Sequence, residues 1–161
     1  MTDIPGFADA LSQPDATPAS LLSVIGAGVE ALTGARLVTI SAIVGDLSSE
    51  RLYTNMPAVY PLSGRKPANR TDWHDQVMVR HEAFVANDYA TLSQAMFDHE
   101  TIRATGCESI VNMPVVVRGR VFGTINCLGP AGHFDAATLA RIETARLPVA
   151  LALMLREAGE G

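Results

Sequence analysis

Cys107–Gly129 reads CESIVNMPVVVRGRVFGTINCLG, and the fold turns on how this stretch pairs with itself. Ser109–Val117 and Arg120–Leu128 are runs of apolar and β-favouring residues on either side of Arg118-Gly119, a dipeptide suited to a two-residue hairpin loop with positive φ. With those two residues as the loop, Val117 is expected opposite Arg120, Val111 opposite Asn126 and Ser109 opposite Leu128. Alternation then puts Cys107, Ser109, Val111, Met113, Val115, Phe122, Thr124, Asn126 and Leu128 on one side of a sheet. Ile110, Asn112, Pro114, Val116, Val121, Gly123, Ile125 and Cys127 fall on the other. Neither side is mostly charged, so both need cover. The first side mixes hydroxyl, amide and thiol with apolar groups, as a small-molecule pocket does. A one-residue slip would exchange the two sides.

The 161 residues are enough for one domain with a core that needs neither disulfides nor metal, and 48% hydrophobic against 18% charged residues describes a globular chain. A net charge of −5 argues against a general nucleic-acid-binding surface. The basic side chains, eleven Arg and one Lys, form short clusters at Arg65, Lys66, Arg70 and at Arg118, Arg120. No apolar run reaches the roughly 20 residues of a membrane span, and MTDIPGFADA lacks the pattern of a signal peptide. A cytoplasmic protein without a membrane partner is expected, with Cys107 and Cys127 as free thiols on opposite sides of the sheet.

Toward the N-terminus, residues 1–16 read as an arm with a short helix around Phe7 to Leu11. Thr17-Pro18 opens a helix whose apolar positions are Leu21, Leu22, Ile25, Val29 and Leu32, closed by Gly34. Gly26 and Gly28 inside it point to a close approach by another backbone, with a second subunit as one source. Arg36–Val44 and Arg51–Met56 read as a strand pair joined through Gly45-Asp46. Residues 57–70 are irregular and long enough to cover a site. Thr71 caps a second helix carrying Trp73 and Val77 on one face and ending at His81-Glu82. Ala83–Ala86 makes a short strand, and Tyr89–Thr105 one or two short helices with Leu92, Met96, Phe97 and Ile102 facing inward before Gly106. Beyond the hairpin, Asp135 caps a last helix with Leu139, Ile142, Leu147 and Leu151–Met154 as its apolar stripe, bent or divided by Pro148. Residues 158–161 read as a tail.

In this order of elements, three segments carry a family likeness: Phe84–Asp88, Ser109–Val115 joined through Arg118-Gly119 to Val121–Asn126, and Phe134-Asp135. Over residues 17–157 the chain resembles a GAF domain. The resemblance implies an α+β, profilin- or PAS-like fold. Its antiparallel sheet would have five or six strands, with the terminal helices on one face, a small-molecule pocket on the other, and homodimerisation through those helices. It also implies a sensor or regulatory role. Cyclic-nucleotide-binding members share an Asn-Lys…Phe…Asp-Glu motif, whereas Cys127-Leu128-Gly129 follows Asn126 here. The residues around Cys107 and His99 do not resemble a bilin-attachment motif. In the sulfoxide-reductase branch a loop cysteine stands where this chain has Arg103.

The candidate ligand-binding residues are Tyr60, Trp73, Phe84, Asp88, Phe97, His99, Cys107, Ser109, Thr124 and Asn126. Of these, Ser109, Thr124 and Asn126 form the central group, three polar side chains on one covered face that need partners. Arg65 or Lys66 would meet an anionic group on a ligand. The competing class is a small enzyme with Cys107 as nucleophile or redox thiol and His99 or Asp88 as acid/base, for example of the sulfoxide-reductase kind. The chain has no HExxH, CxxC, GxSxG, phosphate loop or GxGxxG. No metal or cofactor is therefore implied, and the common hydrolase, NTPase and dinucleotide readings fall away.

Overall fold

The computed structural model describes residues 3–160; Met1 and Thr2 of the expected arm and Gly161 of the expected tail lie outside them. Six strands form one sheet in the order β3-β2-β1-β6-β5-β4. The strands are β1 Leu37–Ile43, β2 Ser49–Thr54, β3 Arg65–Lys66, β4 Phe84–Ala86, β5 Ser109–Val117 and β6 Arg120–Gly129. Adjacent strands are antiparallel throughout. The helices are α1 Phe7–Leu11, α2 Pro18–Thr33, α3 Tyr89–Ala95, α4 His99–Ala104, α5 Ala136–Glu143 and α6 Arg146–Glu160, with a π-helical segment at His74–Val79. Among the described residues no helix is long and apolar enough to cross a membrane.

One face of the sheet carries Val38, Ile40, Ala42, Val111, Met113, Val115, Ile125 and Cys127. It packs against Leu21, Leu22, Ile25 and Val29 of α2, Ile142 of α5, and Val149, Ala152 and Leu153 of α6. The terminal helices therefore share one face. A smaller cluster on the opposite side joins Leu37, Ile110 and Leu128 to Tyr60, Leu92, Met96, Ile102 and Cys107.

The central hairpin has the expected loop: Arg118 and Gly119 sit at φ 51° and 78°, the left-handed pair of a two-residue turn. Val117 pairs with Arg120 as expected. Val116 still pairs with Val121, and beyond it the registers part, because β6 has an extra residue, Phe122, ahead of the pair Val115–Gly123. Past this bulge each β5 residue meets a partner one position later than the loop alone dictates, so Met113 faces Ile125, Asn112 faces Asn126 and Ile110 faces Leu128. Thr124, Asn126 and Leu128 keep their expected face, whereas Ser109, Val111, Met113 and Val115 move to the helix side. Asn112 and Ile110 take their place. Ser109 is fully buried and donates to the carbonyls of Gly129 and Pro130, which satisfies its hydroxyl within the backbone.

Several local expectations change for equally local reasons. Gly26 and Gly28 do mark close approaches, but by side chains of the same chain. A Cβ on Gly26 would run into the Tyr53 ring, and one on Gly28 would lie 2.8 Å from Ile4 Cγ2. Arg65–Lys66, read as part of an irregular cover, pairs with Ser49 and Glu50 as an edge strand. The helix expected over 71–82 is shorter and wider: Asn69 bonds the Thr71 amide, Arg80 N–H reaches back to Asp75, and His81 at φ 60° ends the turn. Pro148 falls in the first turn of α6, where no N–H is needed, and the division comes just ahead of it. Leu147, placed on the inward stripe by the sequence, is 72% exposed because that break rotates it outward. Phe97 is 71% exposed, since α3 has ended at Ala95 and α4 begins only at His99.

Gly26→Ala tests the helix-to-strand contact. At an open helix position the change stabilises by about 1 kcal/mol; here the new methyl has to displace Tyr53. We expect a loss of about 1–3 kcal/mol in urea denaturation, largely recovered when Tyr53→Ala is added.

Candidate functional site

A cavity of about 520 Å³ lies between the sheet and a cover formed by residues 66–73 and 93–102. That volume falls in the range of small-molecule sites. Its floor is the sheet face turned away from the terminal helices, laid out in three cross-strand rows. Leu37, Leu128 and Ile110 form an apolar row; Thr39, Asn126 and Asn112 an amide row; Ser41 and Thr124 a hydroxyl row. Arg51 extends the hydroxyl row. β2 has an extra residue, Leu52, between the pairs Ile40–Tyr53 and Ser41–Arg51. Without that bulge Arg51 would share a face with Tyr53 beneath α2; with it, Arg51 stands beside Ser41 in the cavity wall.

The amide row is closed on itself. Trp73 Nε1 donates to Asn112 Oδ1 (3.0 Å), Asn112 Nδ2 donates to Asn126 Oδ1 (2.7 Å), and Asn126 Nδ2 donates to Thr39 Oγ1 (3.1 Å). Two amides in largely apolar strands thereby satisfy each other and pin the cover residue Trp73 to the floor.

Charge is concentrated beside it. Asp98 Oδ2 accepts from the Tyr60 hydroxyl at 2.9 Å and pairs with Lys66 Nζ, also at 2.9 Å. Burial, and after it the Asp98 charge, push the Tyr60 hydroxyl well above its usual pKa, so it remains a donor. The Arg51 guanidinium lies 4.9 Å from the Tyr60 ring centre and donates through Nη1 to the Pro61 carbonyl (2.9 Å). Gly64 makes room for it, since a Cβ there would meet Nη1. His99 Nδ1 sits 2.7 Å from the Tyr89 hydroxyl, over whose ring Arg103 stacks at 4.3 Å.

The sequence matches the GAF domain over residues 18–153, nearly the whole chain. The chain belongs to the GAF domain family. No curated protein sequence matches it. Solved structures share its fold at low identity. The GAF domain of an Acinetobacter phosphoenolpyruvate-protein phosphotransferase is 10% identical with TM-score 0.72, over 94% of this chain and 90% of that one. The blue-light absorbing form of the Thermosynechococcus elongatus PixJ GAF domain is 9% identical with TM-score 0.67, over 89% of each. The chromophore-binding domain of an unusual R. palustris bacteriophytochrome is 14% identical with TM-score 0.69 over 96% of this chain, which spans 60% of that structure's length.

In this GAF domain, Tyr60, Trp73, Phe97, His99, Thr124 and Asn126 line the cavity. The other four residues singled out in the sequence lie elsewhere. Phe84 packs at the β4 edge opposite Asn112. Asp88 caps α3 by accepting from the Thr91 amide, which holds its carboxyl below the usual range. Cys107 is fully buried under Tyr60, Leu92 and Ile102, and burial pushes its thiol up, partly offset by Thr105 and Arg36. Ser109 is tied to the backbone on the far side. Of the two basic candidates, Lys66 lines the cavity and Arg65 does not. Reading the strands missed Arg51, Ser41, Thr39, Asn112 and Asp98. One signal was available for Asn112: two asparagines in one apolar hairpin are best satisfied opposite each other.

Two measurements check this arrangement. Asn126→Leu strips Asn112 of its acceptor and should cost about 1–3 kcal/mol, and a double-mutant cycle with Asn112→Leu should show coupling above about 0.5 kcal/mol. Neither cysteine should react with a thiol reagent at neutral pH faster than the protein unfolds. Rapid labelling of Cys107 would revive it as a nucleophile.

Proposed function

We propose that this GAF domain is a small-molecule-binding sensor or regulatory module. The observation supporting the reading is the ligand-sized cavity, whose floor is graded from apolar through amide to hydroxyl. A space of that size beside buried polar groups is a poor way to stabilise a core and a good way to select a ligand. Ligand binding would tighten the 57–70 cover, which the Tyr60–Asp98 and Lys66–Asp98 contacts tie to the start of α4. Since β1 and β6 present one face to the cavity and the other to α2 and α6, a shift of either strand reaches the terminal helices. No redox or nucleophilic step is assigned, because the candidate thiol is buried away from the cavity wall.

The same reading makes the chain cytoplasmic and dimeric, with protomers paired along α6. Leu147, Met154 and Leu155 expose an apolar stripe there at helical spacing, although α6 already buries Val149, Ala152 and Leu153.

A thermal-shift screen of metabolite classes should find at least one that raises the melting temperature, a ligand at 100 times its Kd adding about 2.7 kcal/mol. Mass spectrometry of the denatured protein should identify any co-purifying compound. A screen with no response and no bound compound would count against the reading. Sedimentation equilibrium should give a dimer that Met154→Glu with Leu155→Glu converts to monomer. A wild-type monomer at all concentrations would remove the dimer from the proposal.

A further inference from the structure

The sharpest anomaly in the cavity is Arg51. Its side chain is buried, 8% exposed, and it has no carboxylate partner within ion-pair distance among the described residues. Its Nε is shut off from solvent and has no acceptor, while Nη1 is the nitrogen that donates, to Pro61. The nearby carboxylate, Asp98, pairs through Oδ2 with Lys66 at 2.9 Å and with the Tyr60 hydroxyl; its Oδ1 is buried without a partner among the described residues and makes no hydrogen bond to Arg51. A guanidinium held this way retains an unneutralised charge in a low-dielectric wall, an arrangement that is costly unless something else supplies the counter-charge. The hydroxyls next to it are also uncommitted. Ser41 and Thr124, 6% and 4% exposed, both line the cavity, and neither side chain has a hydrogen-bond partner among the described residues. In the neighbouring amide row, by contrast, every side chain has a hydrogen-bond partner.

Resting on the binding reading above, we infer that the cavity takes an amphiphilic organic monocarboxylate, its carboxylate against Arg51 and the Ser41 and Thr124 hydroxyls, its apolar end over Leu37, Leu128 and Ile110. Among the described residues, Arg51 is the one buried cation of the lining without a carboxylate partner, since Lys66 is paired with Asp98 and Arg70 is exposed to solvent; a single buried charge flanked by two hydroxyls matches a carboxylate better than a phosphate monoester carrying about −1.5 to −2. The Arg51–Ser41–Thr124 row and the leucine row stand four residues apart along β1 and β6, roughly 13 Å at strand rise, which sets the length of the occupant.

The test is calorimetric titration of the full chain with matched probes: 4-phenylbutyrate, its primary amide, and phenylpropyl phosphate. The wild type should bind the acid roughly tenfold or more tightly than the amide, and more tightly than the phosphate. Arg51→Met should abolish the acid–amide difference while melting, without ligand, at or above the wild-type temperature, because it removes a buried unpaired charge. A residue needed only for its Pro61 and Tyr60 contacts would lower that temperature. Ser41→Ala with Thr124→Val should weaken the acid several-fold without erasing the preference, and keeps the test open if Arg51→Met does not fold. Equal binding of acid and amide would overturn the charge assignment and leave the cavity reading standing. Preferred binding of the phosphate would overturn the carboxylate. Failure of every probe to bind, together with a silent metabolite screen, would defeat both.

Discussion

Phe122 is one residue more than β6 needs to match β5, and Leu52 is one more than β2 needs to match β1. Strand side chains alternate with a period of two, so each extra residue exchanges the faces of everything beyond it. The Phe122 bulge puts Asn112 opposite Asn126 and sends Ser109, Val111 and Met113 toward the helices. The Leu52 bulge sends Tyr53 toward α2 and Arg51 toward the cavity. Remove either and a polar group would be driven into the helix-side core, or apolar groups into the ligand space. Phe122 and Leu52 themselves both pack against the helix-side core, which gives the displaced residues an apolar destination.

Around that constraint the two faces divide the labour. The helix side is continuous aliphatic packing among α2, α5, α6 and strands β1, β5 and β6, where burial supplies the stability. The cavity side holds polar groups in two conditions. The Trp73–Asn112–Asn126–Thr39 chain is satisfied internally and fixes the geometry whether or not anything is bound. Arg51, Ser41 and Thr124 carry unspent hydrogen-bonding capacity. Stability and recognition thus reside in neighbouring rows of one sheet.

Much of this was legible in the amino acids. Thr17-Pro18 and Gly34 bracket α2 through a capping box and a left-handed residue, Asp135 caps α5, and the Arg118-Gly119 loop falls where its φ requirement places it. These are local effects, set by groups within a few positions of one another. The family likeness carried the sheet and the helix layer. What the sequence did not show were the bulges, which arise from how two strands meet a third layer, and so one member of the expected polar triad, Ser109, falls on the other face. Gly26 carried a true signal of close contact, but the contacting group, Tyr53, is 27 residues away and pointed there by a bulge. Phe97 illustrates the reverse error: helical spacing was read across a gap where no helix runs.

The register of the central hairpin is the claim on which the cavity floor, the Asn112–Asn126 bond and the exclusion of Ser109 all stand. Cross-strand nuclear Overhauser contacts measure it directly in solution. Contacts are expected between the backbone protons of Asn112 and Asn126 and of Met113 and Ile125. Contacts between Val111 and Asn126 and between Ser109 and Leu128, the unbulged pairing, would contradict it.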